Sequence, residues 1–369
     1  MPSPWSHERA YWRRQPGPPS LVPLAEVAPG ATAQAAELTQ LLSGSLTALA
    51  TPFQNDRIAE KAFAHFVNWQ IEQGAQGLVV CSATGEGATL TLQERSLVIQ
   101  IAVETTAGRI PIVAATGANC PRESVALTRA AEAAGATAAL IVAPYYDKPS
   151  QGGLYRHYCE IARSVEFPII VENDPSRNGV DILPETLARL TEIPNIVGVE
   201  SATGDLSRPA GAAHSMRQDF VQLSGDDNTC VLFRMAGADG SVSVVANAVP
   251  KLWAEMQQAS ASGDWGRAMA IRVRLQPLLS ALRLETNPGP IKYALTFLRP
   301  WFSPKTRLPL VPVSYDTGNA IVAALQGLDL IEGSLTGFGP TPRDGVDRGA
   351  HYRSPDYINE NEQGPLPAI

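Results

Sequence analysis

The chain has few cysteines, and they stand far apart. Only 4 of its 369 residues are cysteine, namely Cys81, Cys120, Cys159 and Cys230. No two of them have the spacing of a zinc site or of a redox CxxC motif. A chain that is 44% hydrophobic can bury a large core without disulfides. The cysteine usage therefore predicts a reducing, cytoplasmic location.

The chain also lacks an excess of positive charge and a long apolar run. Lys and Arg total 29 against 36 Asp and Glu, which gives a formal net charge of −7. A protein that holds nucleic acid needs a basic field to neutralise phosphates, and this balance does not provide one. No run of about 18 apolar residues offers a transmembrane helix. We therefore expect neither nucleic acid nor a membrane as a partner.

Composition divides the chain into three regions. Residues 1–43 begin with Pro, Trp and Arg and are predicted to form an N-terminal extension. Residues 44–328 alternate apolar runs with amphipathic segments. Residues 329–369 are rich in Gly, Pro, Asp and Asn, and this composition predicts an extended C-terminal arm.

Eight apolar runs in the middle region are predicted to be buried strands. They are nearly continuous in Val, Ile, Leu and Ala, as expected when helices cover both faces of a parallel sheet. The runs are Leu46–Ala50, Gly77–Cys81, Pro111–Ala115, Ala138–Ala143, Pro168–Val171, Ile196–Val199, Phe220–Leu223 and Ser241–Val245. Amphipathic segments such as Leu92–Thr106 lie between them. The alternation predicts an α/β fold, a (β/α)8 TIM barrel with additional C-terminal helices, and an open doubly wound sheet is the alternative.

In such a barrel the chemistry lies at the carboxyl ends of the strands. The second predicted strand is followed by Ser82, Ala83, Thr84 and Gly85. Small residues allow close approach of a ligand, and exposed N–H groups with a threonine hydroxyl can hold a carboxylate. An ordinary strand-to-helix turn is the alternative interpretation.

Two acidic residues directly follow neighbouring predicted strands. Glu172 follows the fifth strand and Glu200 the sixth. Buried acids are costly unless they are paired or functional. Parallel strands lie about 4.8 Å apart, so the two carboxyls are expected within reach of each other. They can share a proton, bind a hard divalent cation or face a cationic ligand. In the structural alternative, Arg177 neutralises them as an internal counter-ion.

A series of short motifs, from about Gly44 to about Leu328, resembles the dihydrodipicolinate synthase / N-acetylneuraminate lyase family. The motifs occur in the family's order. They are Ala48–Phe53, Thr84–Glu86, Pro144–Tyr146, Asn173 with Pro175–Arg177, Gly198 with Ala202–Gly204, Ser224–Asp227, Glu285–Pro288 and Arg307–Leu310. The resemblance implies a TIM barrel, pyruvate-dependent lyase or aldolase chemistry, and a homotetramer built as a dimer of dimers.

The resemblance also implies roles for single residues. The counterpart of Thr84 holds the carboxylate of a keto acid, and that of Tyr146 reaches across a dimer interface into the neighbouring site. The counterpart of Arg177 grips the carboxylate of the second substrate. Ser82, Gly85 and Ser243 complete the candidate substrate-binding set, because they stand at the ends of predicted strands.

The departures from the family pattern fall on its catalytic residues. The resemblance places the family's Schiff-base lysine at Glu200, its proton-relay tyrosine at Glu172 and the first threonine of the TTGE-type turn at Ala83. The only lysines in the chain are Lys61, Lys148, Lys251, Lys292 and Lys305. None directly follows a predicted strand. Lys148, on the loop after Tyr146, is interpreted as a solvated loop charge.

Three functional hypotheses follow. In the first, Glu172 and Glu200 carry out imine-free acid/base or metal-assisted lyase, hydratase or isomerase chemistry on a small oxo or hydroxy acid, with Tyr146 as a further catalytic candidate. In the second, the chain is a non-catalytic relative that binds a ligand or serves in an assembly. In the third, conventional pyruvate-dependent activity persists. No organic cofactor is indicated, and a divalent cation is the one cofactor left open.

Overall fold

The structure is a computed structural model that describes residues 37–217 and 219–332. Most of the two predicted terminal regions therefore lies outside the described residues, including the whole arm from residue 333 onward. The predicted boundaries at residues 43 and 329 stay predictions. Within the described ranges, every helix is too short or too polar to span a lipid bilayer.

Eight parallel strands close into a barrel, and two short strands form a separate hairpin. The ten strands are β1 (Gly44–Ala48), β2 (Phe53–Gln54), β3 (Arg57–Ile58), β4 (Gly77–Val80), β5 (Ile112–Ala115), β6 (Ala138–Val142), β7 (Ile169–Asn173), β8 (Ile196–Ser201), β9 (Val221–Ser224) and β10 (Gly240–Ser243). Around the barrel the order is β1-β4-β5-β6-β7-β8-β9-β10, and β10 pairs with β1. The predicted TIM barrel is confirmed, and the open sheet is wrong. The β2–β3 hairpin was not predicted.

Helices lie between the strands and follow the last one. They are α1 (Glu60–Glu72), α2 (Leu92–Thr106), α3 (Pro121–Ala133), α4 (Gln151–Ser164), α5 (Pro175–Asn178), α6 (Pro184–Thr191), α7 (Ser207–Ser215), α8 (Cys230–Met235), α9 (Pro250–Ala261), α10 (Trp265–Ala281), α11 (Gly289–Leu298) and α12 (Tyr315–Gly327). Helix α2 has the predicted bounds, because a capping box between Thr91 and Glu94 satisfies its first N–H groups. The predicted C-terminal helices are confirmed.

The core has an inner and an outer part. Alternate strand residues such as Leu46, Val79, Leu140 and Ile170 fill the barrel interior. The intervening residues pack outward against the helices in a larger cluster. Both faces of each strand are thus covered, which explains why the strand sequences are continuous apolar runs. Each fully buried aliphatic side chain contributes about 1.5–3 kcal/mol through removal from water.

Strands β7 and β8 run further than predicted, and this changes the position of the two acids. The sequence interpretation ended these strands before Glu172 and Glu200, whereas both residues lie within the ladder and pair with each other across it. Glu172 is two residues beyond Ile170, which faces the barrel interior. Because side chains alternate along a strand, Glu172 also faces inward, and its register partner Glu200 lies beside it.

A third acid near the same end of the barrel is part of a structural ion pair. The ammonium of Lys292 lies 2.5 Å from Glu86 Oε1 and donates a second hydrogen bond to the carbonyl of Lys305 at 2.6 Å. The other oxygen, Glu86 Oε2, accepts from the backbone N–H of Arg307 at 2.8 Å. Both side chains of the pair are fully buried. The pair therefore fastens α11 and the segment after it to the loop that follows β4.

Candidate active site

A cavity of about 790 Å³ opens at the carboxyl ends of the strands. Its size lies within the usual range of small-molecule sites. Residues from several loops line it, among them Ser82, Tyr146, Lys148, Glu172, Arg177 and Asn178. The cavity therefore lies where the barrel fold predicts the chemistry.

Glu172 is the acid that lines this cavity. Its side chain is partly buried. Burial raises its pKa to about 7, the negative charge of Asp174 adds to the rise, and the Arg177 guanidinium opposes it. The fully buried ring of Tyr158 is close enough to sense the Glu172 charge, and its hydroxyl donates to the carbonyl of Ile141 at 3.0 Å. A carboxyl with a pKa near neutrality can both take and give a proton under ordinary conditions.

Glu200 is the more deeply buried member of the pair. Only 9% of its surface is exposed, and its Oε2 atom has no hydrogen-bond partner among the described residues. Burial raises its pKa well above the usual range, and the negative charges of Glu172, Asp174 and Asp227 raise it further. Glu200 is not among the residues that line the cavity. Its catalytic role stays a prediction.

The glycine at position 225 makes room for the Glu200 carboxyl. A Cβ atom on Gly225 would lie only 2.7 Å from Glu200 Oε1 and 3.1 Å from its Cγ. Any larger residue at the end of β9 would displace the Glu200 side chain. The acid consequently lies tightly packed between β7 and the end of β9.

Arg177 is paired with Asp174. The distance from Arg177 Nε to Asp174 Oδ2 is 3.5 Å, and the arginine side chain is 43% exposed. The same Asp174 carboxylate caps the N-terminus of α5, because it accepts hydrogen bonds from the backbone N–H groups of Ser176 and Arg177. No ion pair joins Arg177 to Glu172 or Glu200 within the described part of the chain. Arg177, the predicted internal counter-ion, therefore influences Glu172 electrostatically without direct contact. Its guanidinium lines the cavity.

The turn after β4 is tightly packed. Thr84 is 2% exposed, and its hydroxyl oxygen accepts from the Asn287 side-chain amide at 2.9 Å. A Cβ on Gly85 would lie 3.1 Å from both Cys81 N and Leu49 O, so a larger residue would disturb the turn. Ser82 lines the cavity, whereas Thr84 and Gly85 do not. The substrate-binding role of those two residues stays a prediction.

The remaining predicted site residues lie at the edges of the cavity or away from it. Ser243 is fully buried, and its hydroxyl accepts from the backbone N–H of Ala246 at 3.0 Å. It does not line the cavity, so its substrate-binding role stays a prediction. Tyr146 lines the rim, is 88% exposed and has a φ of +71°, a strained value for a tyrosine.

Lys148 is exposed, as predicted, but it also lines the cavity. Its stem lies across Gly179, where a Cβ would approach Lys148 Cε to 2.8 Å. Gly179 is the C-cap of α5 and has a left-handed backbone conformation, with a φ of +71°. The interpretation of Lys148 as a solvated loop charge is therefore incomplete, because this exposed side chain lies against Gly179 beside the cavity.

Two residues that the sequence analysis missed also line the cavity. Arg95 on α2 donates to the carbonyls of Ala115 at 3.0 Å and Gly87 at 2.6 Å. Asn178 ends α5 and is 4% exposed. Asn178 had a signal, since it stands in the loop directly after a strand that ends in acids. Arg95 lies within a regular helix and had none.

The divalent-cation hypothesis finds no ready ligand set. Among residues 37–217 and 219–332, no group of three or more His, Cys, Asp or Glu side chains is placed to hold a metal ion. Glu172 and Glu200 provide two carboxyls. Structural and catalytic cation sites use more protein ligands than this or rely on substrate oxygens.

A closed parallel barrel with a cavity at the carboxyl ends of its strands defines a TIM-barrel protein with a candidate small-molecule site. Comparison with known proteins narrows this class. The profile of the Dihydrodipicolinate synthetase family matches residues 41–328, so the chain belongs to that lyase family.

Similar proteins support the same assignment. The chain is 48% identical over 285 residues to a 4-hydroxy-tetrahydrodipicolinate synthase of Rhodospirillum centenum. The aligned region covers 77% of this chain and 98% of that protein. The chain is 44% identical over 290 residues to one from Methylobacterium radiotolerans, which covers 79% and 97%. The chloride-inhibited dihydrodipicolinate synthase from Acinetobacter baumannii, crystallised with pyruvate, superposes with a TM-score of 0.76 at 40% identity and covers 79% of this chain and 100% of its own.

Proposed function

We propose that this chain is an imine-free member of its family, in which a glutamate pair moves protons on a small oxo or hydroxy acid. The observation that carries the proposal is the pairing of Glu172 with Glu200 across β7 and β8. The resemblance places the family's proton-relay tyrosine and Schiff-base lysine at these two positions. Neither acid is in an ion pair with a described cation.

The two acids have different environments and therefore different roles. Glu172 faces the cavity with a pKa raised to about 7, so its ionised form can take a proton from the carbon next to a carbonyl. Glu200 holds its own proton, because burial and the neighbouring negative charges disfavour ionisation. A protonated Glu200 avoids the repulsion that two ionised neighbours would create. The pair thus works as one base beside one neutral acid.

The charge around the cavity favours an anionic substrate. Arg95, Lys148 and Arg177 line it together with Glu172. With Arg177 paired to Asp174, the cations Arg95 and Lys148 still outnumber the single acid Glu172, and this balance attracts a carboxylate and disfavours a cationic ligand. The substrate class that fits is a small 2-oxo or hydroxy acid, with lyase, hydratase or isomerase chemistry started by proton transfer.

Hydrogen–deuterium exchange tests this proposal without knowledge of the final reaction. Pyruvate and 2-oxobutyrate are incubated with the protein in D2O, and loss of the protons next to the carbonyl is followed by NMR. We expect exchange by the native protein and a loss of about 10³-fold for Glu172→Gln, since general-base catalysis typically contributes that much. Exchange that survives in Glu172→Gln, or that never occurs with the native protein, contradicts the proposal.

Conventional pyruvate-dependent activity is the second candidate. Two observations favour it: the similar proteins named above are 4-hydroxy-tetrahydrodipicolinate synthases, and the amine-bearing side chain of Lys148 lines the cavity. An imine requires a neutral, desolvated amine, and the exposure of Lys148 works against this. Reductive trapping with pyruvate and borohydride separates the two candidates. A covalent adduct that is lost in Lys148→Met but kept in the matched Lys251→Met variant would establish the second.

The assembly, the location and the region boundaries belong to the same proposal. The exposed Tyr146 at the cavity rim supports a homotetramer in which neighbouring subunits meet near the site. Light scattering of the native protein and of Tyr146→Ala tests this. A cytoplasmic location and the boundaries at residues 43 and 329 rest on composition alone. The hypothesis of a non-catalytic assembly protein rested on the C-terminal arm, which lies outside the described residues.

A further inference from the structure

Proton removal next to a carbonyl leaves negative charge on the carbonyl oxygen. Without an imine, hydrogen-bond donors must hold that charge in the transition state. The present inference rests on the proposed function and concerns which donors do so. Suitable donors face the cavity, are desolvated and are free of other partners.

Asn178 lines the cavity and meets the conditions of burial and of a free donor. Its side chain is 4% exposed and lines the cavity. Its Nδ2 atom is buried and has no hydrogen-bond partner among the described residues. A buried amide N–H without a partner is uncommon in proteins and indicates a missing ligand or water.

Hydrogen bonds and packing hold the backbone at Asn178 in place. The Asn178 N–H donates to the carbonyl of Asp174 at 2.9 Å, which closes the single turn of α5. The left-handed Gly179 follows directly, and the stem of Lys148 covers it. Glu172 lies on the strand that leads into this turn, so base and amide come from one continuous segment of chain.

A second free donor lies on a different element. Ser82, after β4, lines the same cavity, and its buried Oγ atom also has no partner in the part of the chain that the structure describes. The two arginines that line the cavity are already engaged. Arg95 donates to two carbonyls, and Arg177 pairs with Asp174.

We propose that the side-chain amide of Asn178, assisted by the Ser82 hydroxyl, donates hydrogen bonds to the carbonyl oxygen of a bound 2-oxo acid. When Glu172 takes the proton, the C–H bond breaks and its electron pair forms a carbon–carbon double bond. The carbonyl π electrons move to oxygen, where the Asn178 N–H and Ser82 O–H groups hold the resulting enolate. Return of the proton from Glu172 to carbon reverses the step, so no oxidant or metal is required.

Oxalate, a planar dianion that mimics the enolate of pyruvate, is the probe for this site. Its affinity is measured by calorimetry on the full chain, alongside the exchange rate of pyruvate protons. Asn178→Leu removes the donor at similar size, and Asn178→Asp removes it at the same shape. We expect each to weaken oxalate binding by about tenfold to a hundredfold, the effect of losing a hydrogen bond to a charged group. The exchange rate at saturation should fall by at least a similar factor, with a smaller change in KM.

Ser176→Ala is the matched control. Ser176 lines the same wall, but its hydroxyl already donates to Asp174 Oδ1 at 2.6 Å. We expect less than a threefold change in both readouts for this variant. Thermal unfolding confirms that every variant is folded before it is compared.

The outcomes separate this inference from the function on which it rests. Asn178→Leu with native oxalate affinity and exchange overturns the inference alone. Loss in Asn178→Asp but not in Asn178→Leu also overturns it, since added charge would then be the cause. If the native protein exchanges no protons, the proposed function fails. Oxalate binding that is present in the native protein and lost in Asn178→Leu still supports Asn178 as an anion donor, and absence of any oxalate binding overturns it.

Discussion

Two buried glutamates near the same end of the barrel meet opposite electrostatic environments. Glu86 has the ammonium of Lys292 at 2.5 Å, and its second oxygen accepts the backbone N–H of Arg307 at 2.8 Å. Glu200 has no cation beside it, and one of its oxygens lacks any partner among the described residues. Its nearest charged neighbour in the ladder is another acid, Glu172.

The comparison shows that burial alone does not distinguish a structural acid from a candidate catalytic one. An opposite charge and a full set of hydrogen bonds keep Glu86 in an ion pair whose removal would leave Lys292 unpaired. Burial first, and the negative charges of neighbouring acids second, raise the pKa values of Glu172 and Glu200. Perturbed carboxyls beside a cavity indicate chemistry, whereas satisfied ion pairs indicate structure.

The largest effect is expected from breaking the structural pair. Lys292→Met leaves Glu86 buried without its cation, and we expect a loss of about 3–5 kcal/mol in the free energy of unfolding. Denaturant unfolding measures it. Lys251→Met, at an exposed position on α9, is the control and should cost little. The double variant Glu86→Gln/Lys292→Met should recover part of the loss, and an unaffected Lys292→Met would show that the pair contributes nothing.

A cation placed beside Glu172 tests whether the missing opposite charge distinguishes this acid from Glu86. Glu200→Lys puts an ammonium across the ladder from Glu172, and we expect the pKa of Glu172 to fall by roughly 1–3 units. NMR titration of the labelled glutamate carboxyls measures the shift. The introduced amine should also give a borohydride-trapped adduct with pyruvate that the native protein lacks. Glu160→Lys makes the same charge change on the exposed face of α4, and an equal shift in that variant would refute the local explanation.

The contrast also shows what the sequence could predict. All eight barrel strands were predicted, because burial on both faces leaves runs of Val, Ile, Leu and Ala that no other element requires. The ends of β7 and β8 were placed too early, since a charged residue was taken to end each strand. The pairing of Glu172 with Glu200 followed from strand order alone.

The remaining contacts depend on tertiary structure. Glu86 and Lys292 are 206 residues apart, and no local pattern links them. Arg95 and Asn178 reach the cavity only through the positions of α2 and α5. Lys148 was interpreted from its loop composition, whereas its packing against Gly179 places it beside the cavity. Periodicity predicts which faces are buried, but not which polar groups meet.

A neutral replacement of Glu200 should stabilise the protein near pH 7. Burial and its acidic neighbours raise the pKa of Glu200 well above its usual range, so the folded chain favours its protonated form. In the unfolded chain it ionises above about pH 4.5, so folding at pH 7 requires uptake of a proton. Glu200→Gln removes this cost, so we expect its free energy of unfolding to exceed that of the native protein at pH 7 but not near pH 4.5, as measured by denaturant unfolding at the two pH values. Glu86→Gln should instead destabilise at both values, and equal behaviour of the two variants would remove the distinction.

The smallest effect is the pH dependence that Glu172 contributes. Its pKa is raised to about 7 in the folded protein by burial first and by Asp174 second. Between its unfolded pKa of about 4.5 and pH 7 the folded state binds more protons than the unfolded state, so stability falls as the pH rises through this window. The full contribution is present below about pH 4.5 and is lost above about pH 7.

Because the side chain is partly exposed, we expect a difference of about 1–2 kcal/mol between native protein and Glu172→Gln across the window, measured by denaturant unfolding at several pH values. Asp227, whose pKa burial raises to about 6, gives a slope of the same sign in both proteins and cancels in the difference. Parallel curves for the two proteins would mean that Glu172 titrates normally, and the comparison with Glu86 would then rest on Glu200 alone.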